Sequence, residues 1–507
     1  MYHALLQPAR RLAIFFQLRI GYFRTVMRDY VLMYVNGRRF CLRGATVFAT
    51  LADFLRSELL LTGTKVVCSE GDCGACTVLA GRLDGEGLRY ETVDSCIQFV
   101  YQQDGRHVVT VEGMQTNGCL HEVQRALVDH HGSQCGFCTP GLVMALTGLC
   151  EEKKSITSDE MKLGLTGNLC RCTGYLQILE AGYSLNGMEF KRVAEQFSSR
   201  EMVDDLRRHS FDTVRVDAET ADTGPGSPRR NFFSPRRLAD ALQFKANHPE
   251  AVVVAGATEL GVLHNKNGYA PAFVLMLRDI SGLDEITYSD HTLVVGANTT
   301  WTQIERFTKT QLPEFYKIII RFGSPQIRNV ATLAANVANG SPIADALPFL
   351  FITQAEVELA GLNGRRRVNI NQFYRGYKVK DMQPEEIITR ILIPLPAPDE
   401  LVKLYKVSKR NDLDIATFGA GIRIKKAGDI ITRAFLAYGG VGPIVVRLPN
   451  TEGFLQGKLF AEETFARAGE LARSEVKPIS DVRGSQHFRL QLAENILSRF
   501  YFDCRHG

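Results

Sequence analysis

Cys68-Ser69-Glu70-Gly71-Asp72-Cys73-Gly74-Ala75-Cys76, with Cys96 further along, carries the most informative spacing in the chain. The pattern C-x4-C-x2-C…C is that of plant-type [2Fe–2S] ligation. Three thiolates this close need a loop that wraps a small anionic cluster. Gly71 and Gly74 permit the turn and let backbone N–H groups face the sulfurs. Tetrahedral zinc favours paired C-x2-C knuckles and has no need of x4 followed by x2. Cys68, Cys73, Cys76 and Cys96 are therefore candidate iron ligands.

A second set follows in Cys135-Gly-Phe-Cys138 and Cys170-Arg-Cys172. C-x2-C with C-x-C admits zinc or iron on spacing alone. Both pairs fall at expected helix starts, where partial positive charge favours thiolates for either metal. His130 and His131 nearby read as helix-end residues, because eight well-spaced cysteines leave no vacancy for histidine ligation. Of the 12 cysteines, Cys41, Cys119, Cys150 and Cys504 remain, and they read with Trp301 as packing residues.

Outward from the clusters, Val31–Val35 and Arg38–Leu42 are β-prone runs joined by Asn36-Gly37, a hairpin signal. Leu51, Phe54, Leu55, Leu59 and Leu60 recur at helical spacing, and Thr77–Ala80 reads as a strand. Helices are expected around 120–127, from an N-cap at Thr139 with Pro140 at the first position, from the Thr157/Glu160 capping box, and near 175–181. Residues 198–230 turn polar, Asp222-Thr-Gly-Pro-Gly-Ser-Pro-Arg-Arg230 being the clearest piece, and read as a linker. Beyond it, strand-like runs at 251–255, 273–277 and 292–295 alternate with helical patterns. Pro394–Pro398 marks a further boundary, before strands near 419–424 and 433–438 and helices at 461–471 and 488–500.

A chain of 507 residues predicts about three domains. Its 45% apolar and 23% charged content excludes a disordered or fibrous protein. The net charge of +5 equals Arg10, Arg11, Arg19, Arg24 and Arg28, all before the first acid, Asp29. Everything after is balanced, which argues against nucleic acid as a partner. Residues 1–28 resemble an acid-free targeting presequence, but the strand pattern from Val31 favours a start at Met27. Leu12–Phe16 is too short an apolar run to span a membrane. Length and cysteine placement disfavour a secreted disulfide framework, so a cytoplasmic chain with no membrane partner is expected.

Three long motifs, Cys68 to Val78, Gly132-Ser-Gln-Cys-Gly-Phe-Cys-Thr-Pro-Gly141 and Gly167-Asn-Leu-Cys-Arg-Cys-Thr-Gly-Tyr175, closely resemble the iron–sulfur part of the molybdenum hydroxylases. The resemblance implies two [2Fe–2S] centres, so that Cys135, Cys138, Cys170 and Cys172 bind iron, with Gln134 and Cys172 near a molybdopterin. Val252-Val-Val-Ala-Gly-Ala-Thr-Glu-Leu-Gly261 by itself is a strand running into a turn of small residues, with free N–H groups for a pyrophosphate or with none bound. It resembles the first flavin-contacting segment of the same family, and Gly323-Ser-Pro-Gln to Ile343-Ala-Asp345 resembles the second. The implied FAD set is Val253, Val254, Ala255, Gly256, Ala257, Thr258, Glu259, Leu260, Thr332, Asn336, Asp345, Ile388 and Lys406. Phe322 would stack near the isoalloxazine, and Tyr377 would sit near the approaching nicotinamide. By themselves Lys403, Lys406, Lys409 and Arg410 read as a solvated face, and only Lys406 gains a role from the resemblance. Relatives have Gly-Gly-Asn where this chain has Ala334-Ala335-Asn336, and the added methyl groups change the backbone freedom of the flavin site.

The implied fold class is multidomain α+β. The boundaries are a 1–28 extension, a 29–112 plant-type ferredoxin-like β-grasp domain, a 113–197 four-helix iron–sulfur bundle, a 198–230 linker, a 231–394 α/β FAD-binding domain and a 395–507 C-terminal α+β domain. The implied function is that of the small subunit of a two-subunit bacterial xanthine dehydrogenase. Electrons would pass from molybdenum on a large partner subunit, through two [2Fe–2S] clusters, to FAD and then NAD+, as hypoxanthine or xanthine is oxidised to urate. No catalytic residue is expected on this chain, and a heterotetramer with two copies of each subunit is implied. Alternatives are the same role with an aldehyde or aromatic-acyl substrate, or a zinc-stapled interaction protein.

Overall fold

The computed structural model describes residues 26–115, 117–189, 191–219 and 229–505. Asn36 and Gly37, both at positive φ (47° and 82°), make the tight turn that pairs Val31–Val35 with Arg38–Leu42. Val31–Val35 also pairs in parallel with Arg106–Val109, and Thr77–Asp84 and Gly87–Asp94 complete a five-stranded sheet. Alternate side chains of a strand face opposite ways. Leu32, Tyr34, Leu79 and Val109 therefore join a helical core, while Val31, Met33, Val35, Val78 and Val108 join a different one. Two covered faces explain why every residue of Val31–Val35 is buried.

The helical layer holds Glu122–Asp129, Thr139–Glu152, Ser158–Gly164 and Leu176–Ser184. Thr157 caps the third as its sequence predicts, its Oγ1 accepting the Glu160 N–H at 3.3 Å. The second helix starts one residue earlier than expected, with Cys138 as the cap residue and Thr139 already helical.

Two boundaries need correction. Residues 198–219 are not a linker: they form the helix Arg200–His209 and the strand Thr213–Glu219. Met202, Val203 and Leu206 of that helix enter the helical core, and the strand alternates buried and exposed residues. Polar content hid an amphipathic period. Residues 220–228 of the expected linker lie outside the described residues, as do residues 1–25 of the expected extension. The folded part begins before Asp29, because Met27–Arg28 pairs in parallel with Thr213–Val214. Arg28 is only 3% exposed and meets Asp104 at 2.9 Å and Asp212 at 3.0 Å.

The strands Met27–Arg28, Thr213–Glu219, Arg229–Ser234, Phe273–Met276 and Val252–Val254 form a mixed sheet. Its Val214, Phe232, Val274 and Met276 share a core with Val31, Met33 and Val35 of the first sheet. A second, antiparallel sheet follows in the order Ile286–Ser289, Thr292–Gly296, Ile387–Pro394, Glu356–Gly361 and Gly364–Asn369. Trp301 is buried beside it, as expected. Glu400–Val407, Phe418–Ala427, Ile430–Gly439 and Val446–Arg447 make the last sheet, whose core is completed by residues of the helices Glu462–Glu475 and Gln486–Arg505. Among the described residues no helix is long and apolar enough to cross a membrane.

Candidate iron–sulfur and flavin sites

The first cysteine loop turns where its glycines allow. Gly71 and Gly74 sit at positive φ (73° and 66°), and a Cβ on Gly74 would lie 2.1 Å from the Gly167 carbonyl oxygen. The loop brings its four thiols into one line of contacts, Cys73 to Cys68, Cys68 to Cys96, Cys96 to Cys76. Hydrogen bonds from Cys73 and Cys96 hold the Cys68 thiol well below its usual range, while Cys73 and Cys96 are pushed up in return. Asp94 lies 3.8 Å from the Cys76 sulfur and is fully enclosed, so burial raises its carboxyl well above the ordinary value.

The second set assembles across distant helix ends. Cys138 meets Cys170, and Cys135 meets Cys172. Burial, then the Cys170 thiol, pushes Cys138 up to about 12. Among the described residues no three His, Cys, Asp or Glu side chains gather as a single metal ion requires. Thiols meeting two by two suit a two-iron cluster, in which each iron takes two protein ligands. The paired thiols of the second set are thus compatible with the two-iron cluster that the resemblance implies. Cys135 and Cys172 are exposed, as are Phe137, Tyr175 and Leu176, which lie within four residues of one or the other in the chain.

A buried polar junction ties both loops to the chain's next module. Gln326 Nε2 donates to Thr77 Oγ1 at 3.1 Å and to Asn168 Oδ1 at 2.8 Å. Asn168 Nδ2 donates in turn to the Gly74 carbonyl at 2.9 Å. Gln326 is 1% exposed, and Asn168 and Thr77 are each 2% exposed. Groups this buried gain from being paired, so these hydrogen bonds favour one mutual arrangement, with Gln326 Oε1 left as a buried acceptor without a partner.

The expected flavin residues fall into separate groups. Val253 and Val254 end a strand, Ala255 and Gly256 turn, Ala257 is at positive φ (53°), and Thr258, Glu259 and Leu260 open the helix Thr258–Asn267. A Cβ on Gly256 would lie 2.1 Å from the Val330 carbonyl oxygen, which explains the glycine. Ala255, Gly256 and Thr332 line one small cavity of 50 Å³. Asp345 and Lys406 form a buried pair at 2.7 Å, so Lys406 is no part of a solvated face. Burial raises the Asp345 carboxyl, and Lys406 opposes the rise. Phe322 lies against Trp301 with ring centroids 4.9 Å apart, and Ile388 is buried in the same core. Leu260 instead joins the core shared with the first sheet. Tyr377 is exposed, beside Lys378, which pairs with Glu259 at 3.0 Å.

Asn336 Oδ1 and Asp345 Oδ1 are buried acceptors without a partner, and they fit a group that brings its own donors, as a flavin does. The Ala334-Ala335 departure is absorbed by a helix. Neither residue has positive φ, Ala334 is buried in the core, and the Ala335 N–H is taken by Thr332 Oγ1 at 3.2 Å. The alanines therefore replace backbone freedom with a capped helical turn over Leu333–Asn339.

Several residues escaped the sequence reading. Gln98 and Gln102 both donate to the Gly256 carbonyl, at 3.1 and 3.0 Å, and hold the flavin-type loop against the module of the first cysteine set. Gln326 and Asn168 lie inside quoted motifs, yet no local signal marks them as partners. Cys41 and Cys119 are exposed and not packing residues, Cys41 because its strand Arg38–Leu42 is an edge.

Models of known families match three segments: a [2Fe-2S] binding domain over residues 110–183, an FAD binding domain in molybdopterin dehydrogenase over 228–396, and a CO dehydrogenase flavoprotein C-terminal domain over 403–503. Xanthine dehydrogenase of Emericella nidulans is 31% identical over 94% of this chain and 38% of its own length. Aldehyde oxidase 1 of Bos taurus is 31% identical over 93% of this chain and 39% of its own length. The chain thus spans about two fifths of the length of the curated relatives it matches. Among solved structures, quinoline 2-oxidoreductase from Pseudomonas putida 86 contains a chain matched at TM-score 0.51 and 28% identity, over 54% of this chain and 96% of that one. Reconstituted CO dehydrogenase from Oligotropha carboxidovorans is similar at TM-score 0.51 and 27% identity, over 55% and 97%. Together the three domains indicate the small/medium-subunit family of the molybdenum hydroxylases.

Proposed function

We propose that this chain is the iron–sulfur/FAD electron-transfer component of a xanthine dehydrogenase. The observation that carries the reading is the Thr77–Asn168–Gln326 junction, which joins two four-thiol sites and a flavin-type domain through one buried side chain. Cys68, Cys73, Cys76 and Cys96 would hold one [2Fe–2S] cluster, and Cys135, Cys138, Cys170 and Cys172 the other. Residues 253–260 with Phe322, Thr332, Asn336, Asp345, Ile388 and Lys406 would surround FAD. Bound there, these groups supply one-electron carriers and a two-electron flavin that together link a partner's molybdenum site to NAD+.

The chain's own residues position those groups. The cysteine loops set ligand spacing, the glycines admit backbone at close range, and burial with hydrogen bonds to sulfur sets reduction potential. The exposed apolar residues Phe137, Tyr175 and Leu176, close in sequence to Cys135 and Cys172, support docking of a large molybdopterin subunit beside them, in a heterotetramer with two copies of each chain. The fused iron–sulfur and flavin parts match xanthine dehydrogenases of a fungus and a plant over 94% of the chain, which supports xanthine as substrate. An aldehyde substrate is the second reading, because the Bos taurus aldehyde oxidase is as similar as the xanthine dehydrogenases. Eight reduced thiols suit a cytoplasmic setting.

The test is the visible spectrum of the purified chain before and after dithionite, with iron, zinc and flavin quantified. About four irons and one flavin per chain, bleaching on reduction, is the expected result. A colourless, zinc-loaded protein would overturn the reading. The large subunit that co-purifies then discriminates xanthine from aldehyde.

A further inference from the structure

The helix Thr258–Asn267 has the flavin-type loop at its start and the first cysteine loop at its end. Asn265 uses both amide hydrogens on the first cysteine set's module, donating to the Ser69 carbonyl of the loop at 2.9 Å and to the Cys96 carbonyl at 2.8 Å. Lys266 Nζ donates to the Cys68 carbonyl at 2.8 Å and lies 3.5 Å from Glu70. Gly261 lets the helix approach, since a Cβ there would lie 2.4 Å from the Ile97 carbonyl oxygen. Two of the three carbonyls belong to candidate ligand residues, Cys68 and Cys96, which come from different parts of the first module.

We propose that Asn265 and Lys266 are positioning residues that reach from the flavin-type domain to clamp the first cluster's ligand loop, Lys266 also raising that cluster's reduction potential. The inference rests on the reading that Cys68, Cys73, Cys76 and Cys96 hold a [2Fe–2S] cluster. Adding one electron makes a thiolate-bound cluster more negative, so a nearby ammonium favours the reduced form. The second cysteine set receives no contact from either residue, which makes it an internal control. Lys266 is 45% exposed, so the effect is screened and modest.

The experiment is a potentiometric titration of the full chain as purified, each cluster followed by its own electron paramagnetic resonance signal. In Lys266→Met, the first cluster's reduction equilibrium should fall about threefold, or about 30 mV at 59 mV per tenfold for one electron. The second cluster should not move, Lys266→Arg should restore the wild-type value, and added salt should shrink the difference. Asn265→Ala should release first-cluster iron to a ferrous chelator several-fold faster, with second-cluster iron unaffected. A first cluster present in Lys266→Met with its wild-type potential, or one shifted equally with the second, overturns the inference alone. A wild-type chain without the first cluster's signal overturns both the inference and the reading beneath it.

Discussion

Replacing Lys406 by methionine removes one half of an enclosed ion pair. The Lys406 and Asp345 side chains are 2% and 9% exposed and meet at 2.7 Å, and Lys406 also donates to the Arg321 carbonyl at 3.0 Å. Asp345 already has one oxygen without a partner. The variant would leave a buried carboxylate with no counter-charge, a loss of about 3–5 kcal/mol for removing one partner of such a pair. At about 2–4 °C per kcal/mol for units of 150–250 residues, the melting temperature should fall by about 6–20 °C at neutral pH. Burial raises the folded pKa of Asp345 above its unfolded value, so the stability linked to its proton is complete at low pH and drains as pH rises through the folded pKa. Lys406 limits that drain. The deficit of Lys406→Met should therefore be largest at neutral pH and shrink in mild acid, where Asp345 takes a proton. Thermal unfolding by circular dichroism at the two pH values reads the effect, and Lys406→Met with Asp345→Asn should recover most of it. A fall of less than about 2 °C at neutral pH, or a deficit that does not change with pH, would refute the argument.

Cys73→Ser should remove the first cluster, and with it about half of the chain's iron. The second cluster's signal should persist, and NAD+ reduction by the assembled enzyme should stop while an artificial acceptor still supports hydroxylation; unimpaired NAD+ reduction contradicts the route. Gly256→Ala forces a Cβ to 2.1 Å of the Val330 carbonyl oxygen and displaces the loop that Gln98 and Gln102 hold. Overpacking of this kind costs about 1–3 kcal/mol, and flavin content measured after dialysis should drop; a full flavin complement would show that the loop does not touch the cofactor.

Local features were legible in the amino-acid sequence because their determinants lie within a few residues of one another. The C-x4-C-x2-C loop, the Asn36-Gly37 turn and the Thr157/Glu160 cap each depend on short-range sterics and hydrogen bonds, and the structure shows the loop, the turn and the cap where the residues put them. Where composition stood in for periodicity, the reading failed. Arg200–His209 and Thr213–Glu219 are rich in charge yet bury one face each, and that face exists only because another layer covers it.

What the tertiary structure alone decided is which distant residues meet. Gln326 reaches Thr77 across 249 residues and Asn168 across 158, and Asn265 reaches Cys96 across 169. Nothing in the neighbourhood of a glutamine or asparagine specifies a partner at such separation. The hydrogen bond becomes obligatory only after hydrophobic burial has removed water from both groups. The small core of Ala52, Cys76, Cys96 and Ile97, with Val262 and Ile327 of the flavin-type domain packed against it, supplies apolar cover next to those contacts. The candidate ligands were therefore legible locally, the first set in its cysteine spacing, whereas the arrangement that sets both cysteine loops and the flavin-type loop against one another was created by packing.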